Sequence, residues 1–262
     1  MKERLDVWMV DHRLTESREK AQALIMAGRV RVDGHPVDKP GTPVEDSSTV
    51  EVLPGPEHVG RGALKLEGAL DVFAIDPAGK TVVDVGASTG GFTEVLLSRG
   101  ARRVYAVDVG RGQLHERLRA DPRVIVRERL NARYLTANDV PEPCDLATMD
   151  VSFISVLKLL PALRSLLAPE ADVLVLVKPQ FEVGRFLVDR GGLVKDPTLH
   201  TKALGDVAWS AQHEMGYSMR GAAPSPITGA EGNREFFLHM VREGPLLEAA
   251  RVSALIEAAV RQ

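Results

Sequence analysis

The chain has 262 residues, 44% of them apolar, and a formal net charge of −3. That length and apolar share suffice for one large or two unequal packed domains, and the near-neutral balance excludes a chain whose bulk charge alone recruits nucleic acid. The single cysteine, Cys144, excludes an internal disulfide, and the longest apolar run, Val173 to Val177, is far too short to cross a bilayer. Met1 to Arg4 lead into charged sequence without the apolar core of a secretory signal, so a cytoplasmic protein with no membrane association is expected.

Leu14-Thr15-Glu16-Ser17 introduces a helix through Arg18 to Ala27, with Ala21, Leu24 and Ile25 on one face and Gly28 placed to end it in the left-handed conformation. A hairpin follows, Arg29 to Val32, the turn Asp33-Gly34, then His35 to Val37, because Asp-Gly tolerates the positive φ of a tight turn. A strand over Thr49 to Leu53 completes a small α/β unit, residues 1–53. Pro54 to Gly60, with two prolines and two glycines, reads as a linker to a second domain over 61–262.

In the first unit Ser17-Arg18, Ala21, Leu24-Ile25, Gly28, Val30, Val32 and Asp33-Gly34 resemble the RNA-binding module first named in a small-subunit ribosomal protein, the S-four type. Arg18, Lys20, Arg29 and Arg31 gather where helix meets hairpin, and Arg4 precedes them, as cations for the phosphates of folded RNA. The resemblance carries this expectation more than charge does, since residues 1–60 hold eight Lys/Arg against eleven Asp/Glu.

After the linker, strands and helices alternate: helix near 61–73, strand 81–85, helix 90–99, strand 103–108, helix 113–119, strands 123–127 and 145–150, helix 154–167 and strand 172–178. Such alternation predicts a doubly wound, mostly parallel sheet. A helix near 199–215, strand 217–223, the apolar strand Phe236 to Val241 and a helix over 246–261 follow, placing a hairpin at the end of the sheet.

The run Thr81-Val-Val-Asp84-Val-Gly86-Ala-Ser88-Thr-Gly90-Gly91 reads as a buried strand, a Gly-rich turn and a helix start. With Asp108 about twenty residues on, at the end of the next strand, it makes a nucleoside-cofactor cradle in which the acid accepts both ribose hydroxyls. The Gly-x-x-x-Gly-Gly spacing differs from the Gly-x-Gly-x-x-Gly of pyrophosphate-binding loops and favours a cofactor without phosphates. The loop resembles motif I of S-adenosylmethionine-dependent methyltransferases, which implies Asp84, Gly86, Ser88, Gly90, Gly91 and Asp108 as cofactor-binding residues, with Asn131 to Arg133 bordering the adenine.

Lys65, Asp150, Lys178 and Glu235 fall at element ends where a doubly wound sheet opens its ligand crevice. Arg61-Gly-Ala-Leu-Lys65, Asp84 to Thr93, Asp150-Val-Ser-Phe-Ile-Ser155, Val177-Lys178-Pro-Gln-Phe-Glu-Val-Gly-Arg185 and Gly232-Asn-Arg-Glu235-Phe resemble the TlyA (hemolysin A) family of ribosomal RNA 2′-O-methyltransferases, whose catalytic domain is similar to the FtsJ/RrmJ group. The likeness covers essentially the whole chain. It implies a Rossmann-like class I methyltransferase domain behind a small α/β RNA-binding domain, S-adenosylmethionine as cofactor, ribosomal RNA, methylated at cytidine, as substrate, no metal, and Lys65, Asp150, Lys178 and Glu235 as a catalytic tetrad. Lys178 is the candidate to draw off the 2′-hydroxyl proton or to stabilise the developing alkoxide. Between Phe181 and Pro197, glycines and spaced cations including Arg185 make a loop suited to close over RNA. His58-Val59-Gly60 stands where such families place a basic and aromatic linker signature.

Rival readings are base N-methylation, with Phe153 of Asp150-Val-Ser-Phe153 stacked on a flipped base, and carbon methylation through Cys144. A non-catalytic ribosome assembly factor would need neither the cofactor loop nor the two lysines. A pore-forming cytolysin would need an amphipathic or apolar segment, and none is visible.

Overall fold

A computed structural model describes residues 2–26, 28–53, 58–229 and 231–262, which fall into two compact units divided at Glu57/His58. Of the expected linker, Pro54 to Glu57 lie outside the described residues. His58 and Val59 make contacts of the second unit: the imidazole stands 3.4 Å from Glu67 and 3.5 Å from Glu94, and the Val59 N–H donates to Glu94 at 2.8 Å.

In the first unit β1 (Lys2–Arg4) leads into α1 (Leu5–Asp11) and α2 (Arg18–Met26), then β2 (Val30–Val32), β3 (His35–Val37), β4 (Pro43–Glu45) and β5 (Val50–Val52). β1 pairs with β4, and β2 is flanked by β3 and β5, all antiparallel. The β2–β3 turn takes φ of 53° at Asp33 and 79° at Gly34, the double positive φ of the tight turn expected there. Leu5, Trp8 and Met9 of α1 join Ala21, Ile25, Val30 and Val44 in the core. α1, β1 and β4 are additions to the elements read from sequence. The spacing of Leu5, Trp8 and Met9 is helical, but Asp6 interrupts the apolar face and is itself fully buried.

The second unit begins with α3 (Gly62–Phe73) and continues through β6 (Thr81–Val85), α4 (Gly91–Ser98), β7 (Arg103–Val107), α5 (Glu116–Arg119), β8 (Val124–Arg127), β9 (Cys144–Met149), α6 (Leu160–Arg164) and β10 (Leu167–Val177). α7 (Pro179–Glu182), α8 (Pro197–His213), β11 (Ser218–Pro224), β12 (Phe236–Val241) and α9 (Ala249–Arg261) complete it. The sheet order is β11-β12-β10-β9-β6-β7-β8; the five strands β6 to β10 are parallel and β12 runs antiparallel between β10 and β11.

Strand residues alternate between two apolar layers. Val82, Val104, Leu146 and Leu174 face Leu66, Leu70, Phe92 and Leu96 of α3 and α4, whereas Val83, Ala147 and Val175 face Leu160, Leu204, Val207 and Ile256 of α6, α8 and α9. Each fully buried aliphatic side chain contributes about 1.5–3 kcal/mol, so these layers hold the sheet rigid under its loops. The expected helix 154–167 is split into a 3-10 turn at Val156–Lys158 and α6, with Pro161 inside the first turn of α6, where its missing N–H costs nothing. β10 starts five residues earlier than expected, pairing Leu167 with Cys144 before a bulge ahead of Asp172.

From β6 the chain builds outward to β7 and β8, then returns to lay β9 on the other side of β6. The carboxyl ends of β6 and β9 therefore open the crevice in which doubly wound proteins bind ligands. Gly86 follows one of those strands and Asp150 the other.

Candidate active site

Gly86 has φ 86°, and a Cβ there would run into the Asp150 carbonyl, so only glycine lets the β6 loop pass the end of β9. Gly90 and Gly91 serve packing: a side chain at the first would strike Leu118, and at the second it would come within 2.8 Å of the Ala63 nitrogen.

Asp84 is expected on the cofactor wall. It is fully buried beneath the loop, accepting from Thr93 Oγ1 at 2.7 Å and Thr148 Oγ1 at 3.0 Å, and it braces α4 and β9 against β6. Burial pushes its carboxyl up to about 7, against the two threonine hydrogen bonds that favour the ionised form.

A cavity of about 530 Å³ opens over these strand ends, walled by Gly86, Ser88, Asp108, Asn131, Asp150 and Phe153 among others. Asp108 Oδ2 accepts from the Ser88 N–H at 2.9 Å and Oδ1 from the Gly110 N–H at 2.7 Å, which fixes the carboxylate and leaves lone pairs toward the cavity. Asn131 and Ala132 line this wall, but Arg133 does not. A cleft of about 120 Å³ adjoins it between Gly62, Gly86, Ser88, Gly91 and Asp150.

Lys65, Asp150, Lys178 and Glu235 converge. Lys65, in the first turn of α3, donates from Nζ to Glu235 Oε2 at 2.6 Å, and its Nζ stands 4.0 Å from Asp150 Oδ2. Lys178 Nζ lies 2.6 Å from Asp150 Oδ1 as an ion pair and donates to Ser152 Oγ at 2.9 Å. Lys65, Lys178 and Glu235 are each under 10% exposed. Charges this buried need partners, and here acid and base alternate so that each has one.

Lys65, Lys178 and Glu235 face a second cavity of about 460 Å³, whereas Asp150 lies on the first; Ser152 and Phe153 belong to both. The tetrad therefore sits at the junction of two cavities. Phe153 is 91% exposed at φ 65°, a conformation costly for a bulky residue, and its ring lies 5.2 Å from that of Phe181. Glu182, whose carboxyl burial pushes upward, accepts from the Val156 N–H at 2.9 Å and ties the Asp150–Val156 loop to α7.

The loop after α7 is anchored. Asn233 donates to the Gly192 carbonyl and accepts from the Val194 N–H, both at 2.9 Å, and His200 Nε2 lies 2.7 Å from the Val194 carbonyl. Arg185 and Phe186 stay exposed on a 3-10 turn at its tip.

In the first unit the cations expected to meet RNA have local partners. Arg4 makes a two-pronged contact with Asp6 at 3.0 Å, and Arg18 Nε reaches the same carboxylate at 2.9 Å. Both guanidinium side chains remain half exposed. Their hydrogen bonds, Arg4's foremost, hold the Asp6 carboxyl well below the usual carboxylate range. Lys20 pairs with Glu16, Arg29 donates to the Leu53 carbonyl at 2.9 Å, and Arg31 stands exposed opposite Glu51.

Three residues of the site carry no distinct signal in the sequence. Ser152, Gln180 and Asn233 are ordinary polar residues inside Asp150-Val-Ser-Phe, Lys178-Pro-Gln-Phe and Gly232-Asn-Arg-Glu, and only their closeness to Asp150, Lys178 and Glu235 could have marked them. Among the described residues no group of three or more His, Cys, Asp or Glu is placed to hold a metal, and no helix is long and apolar enough to cross a membrane. Cys144 is buried and its thiol pushed up to about 12 by burial, which removes it as a nucleophile.

Comparison with known proteins adds a family to this geometry. Residues 58–242 match the FtsJ-like methyltransferases, and residues 3–50 match the S4 domain. Over 237 residues the chain is 50% identical to the 16S/23S rRNA (cytidine-2′-O)-methyltransferase TlyA of Mycobacterium tuberculosis, covering 90% of this chain and 88% of that one. A solved structure from Streptococcus thermophilus, described as a candidate hemolysin, superposes with a TM-score of 0.74 at 39% identity, over 99% of this chain and 96% of that one. A candidate S-adenosylmethionine-dependent methyltransferase of Listeria monocytogenes shares the fold at 14% identity, with a TM-score of 0.52 over 71% of this chain and all of the other.

Proposed function

The chain belongs to the FtsJ-like methyltransferase family, and we propose that it methylates the ribose 2′-hydroxyl of a ribosomal RNA nucleotide from S-adenosylmethionine. The observation that carries this reading is the position of the Lys-Asp-Lys-Glu cluster where two cavities meet. One cavity suits a nucleoside cofactor and the other an extruded nucleotide.

The residues of the first cavity fit the cofactor. Asp108 would accept the two ribose hydroxyls, Asn131 and Ala132 would border the adenine, and the small cleft at Gly62 and Gly91 would take the amino-acid portion. When bound, S-adenosylmethionine supplies an electrophilic methyl group on a sulfonium. Asp150, on the walls of both cofactor spaces, pairs with Lys178 on the acceptor cavity, and that pair marks where the two reactants would approach each other.

A 2′-hydroxyl is a poor nucleophile and has to be oriented as its proton is lost. Lys178 Nζ, directed by Asp150 and Ser152, has a further direction left for the acceptor oxygen and stabilises the charge that develops there. Lys65 adds a second positive centre, with Glu235 holding its ammonium in place. Phe153 offers a flat, exposed face on which the extruded base stacks. In the first unit the half-exposed guanidiniums of Arg4 and Arg18, set by Asp6, and the exposed Arg31 meet RNA phosphates.

Incubating the chain with labelled cofactor and ribosomal subunits, then digesting the RNA with alkali, tests the reading. A methylated ribose blocks cleavage on its 3′ side, so label is expected in an alkali-resistant dinucleotide. Label in mononucleotides would mean base methylation, and absence of label would mean an assembly factor; either outcome refutes it.

A further inference from the structure

We propose that Gln180, together with Glu231, reads the base of the acceptor nucleotide and selects one that carries an exocyclic amine beside an unprotonated ring nitrogen, the edge presented by cytidine. This inference rests on taking the 460 Å³ cavity as the acceptor pocket. Gln180 lies two residues after Lys178, on α7, and lines the same cavity as the lysine. Its Oε1 is buried without a hydrogen-bond donor among the described residues. Native proteins rarely leave such an atom unpaired, so an orphaned amide beside a ligand cavity has a hydrogen bond to make once its side chain turns toward the ligand.

An amide offers one acceptor and one donor, and by rotation it can match cytidine or the reversed edge of uridine equally well. Glu231 removes that ambiguity. It lines the same cavity, its Oε2 about 3.1 Å from where a Cβ on Gly192 would sit, so the absent side chain leaves the carboxylate its place on the wall. A carboxylate accepts and does not donate. Two acceptors and one donor match an amine and its neighbouring ring nitrogen, whereas uridine would turn a carbonyl oxygen toward Glu231 and be repelled. The exposed ring of Phe153, backed by that of Phe181, offers one face for the base to stack on and leaves its edge to these two residues.

The test uses the full chain and one RNA substrate in three versions that differ only at the target base: cytidine, uridine, and a pyrimidin-2-one that keeps the ring but lacks the amine. Methyl transfer is scored as alkali-resistant dinucleotide. The wild-type kcat/KM is expected to fall by about 10- to 100-fold from cytidine to either alternative, as for the loss of a good base-edge contact. Gln180→Leu should bring the three substrates together by lowering the cytidine rate, and Gln180→Glu, which gives up the donor that the ring nitrogen of cytidine needs, should lower the cytidine rate as well. Calorimetric binding of S-adenosylhomocysteine reports that each variant is folded. A folded Gln180→Leu chain that discriminates like wild type, or a wild-type chain that makes resistant dinucleotide equally from all three, overturns base selection while leaving ribose methylation standing. Label appearing only in alkali-sensitive product overturns both.

Discussion

Lys65 and Glu235 are separated by 170 positions in the chain, yet their Nζ and Oε2 atoms meet at 2.6 Å inside the protein. The contact exists because β12 is inserted antiparallel beside β10, which brings the start of that strand, rather than its end, to the mouth of the crevice. The start of α3 lies over the same mouth.

Removing one partner of this pair strands the other as an uncompensated buried charge. Lys65→Met is expected to cost about 3–5 kcal/mol, a fall in Tm on the order of 10 °C for a domain of this size. Adding Glu235→Leu should restore most of the Tm without restoring methyl transfer. Thermal melts of the two variants check this, and a double variant as unstable as the single one would contradict it.

Asp84 makes stability depend on pH in a direction unusual for an aspartate. Its folded value of about 7 lies above the ordinary 3.8, so its contribution is complete below pH 4 and is lost as the pH rises through about 7. Asp84→Asn cannot ionise and escapes that loss. The Tm of the variant minus that of wild type is expected to grow from pH 5 to pH 8, and a flat difference would show that Asp84 does not titrate in this range.

Asp6 behaves in the opposite sense. Its folded carboxyl lies below the ordinary 3.8, so its contribution is present above that value and disappears as the pH falls below it. Asp6→Ala makes the first unit more positive, which by charge alone would tighten RNA binding. Because Arg4 and Arg18 lose their common anchor, a several-fold weakening is expected instead, with a shallower dependence on salt in filter-binding titrations.

Phe153 holds a positive φ for the sake of its position between the cavities. Phe153→Gly is expected to relieve about 1 kcal/mol or more of backbone strain and to raise the Tm by a few degrees, while methyl transfer to RNA falls at least tenfold. Melting curves and single-turnover assays on one preparation would show both changes. A Tm no higher than wild type would mean that the turn is not strained.

The parts of the site legible in the sequence are those that follow from sheet geometry. Asp108, Asp150 and Lys178 each follow an apolar strand, and parallel sheets display their chemistry at those ends. The burial of Asp84 was not legible, because whether a carboxylate at the fourth position of a strand points to the ligand or beneath the loop depends on Thr93 and Thr148, one of them 64 residues away. The same limit applies to Arg4 and Arg18: local charge counts show cations, but only packing shows that Asp6 gathers them. α1 was hidden because a fully buried acid sits on its inward face.

The order Glu235, Lys65, Asp150, Lys178 sums to zero formal charge. A neutral reaction centre exerts little long-range pull on a polyanion, so capture of RNA falls to other surfaces of the chain. Ionic strength should then govern how tightly the substrate is held while barely altering the rate at which an already captured nucleotide is modified. The protein can thus tune its grip on RNA by surface substitutions without retuning its chemistry.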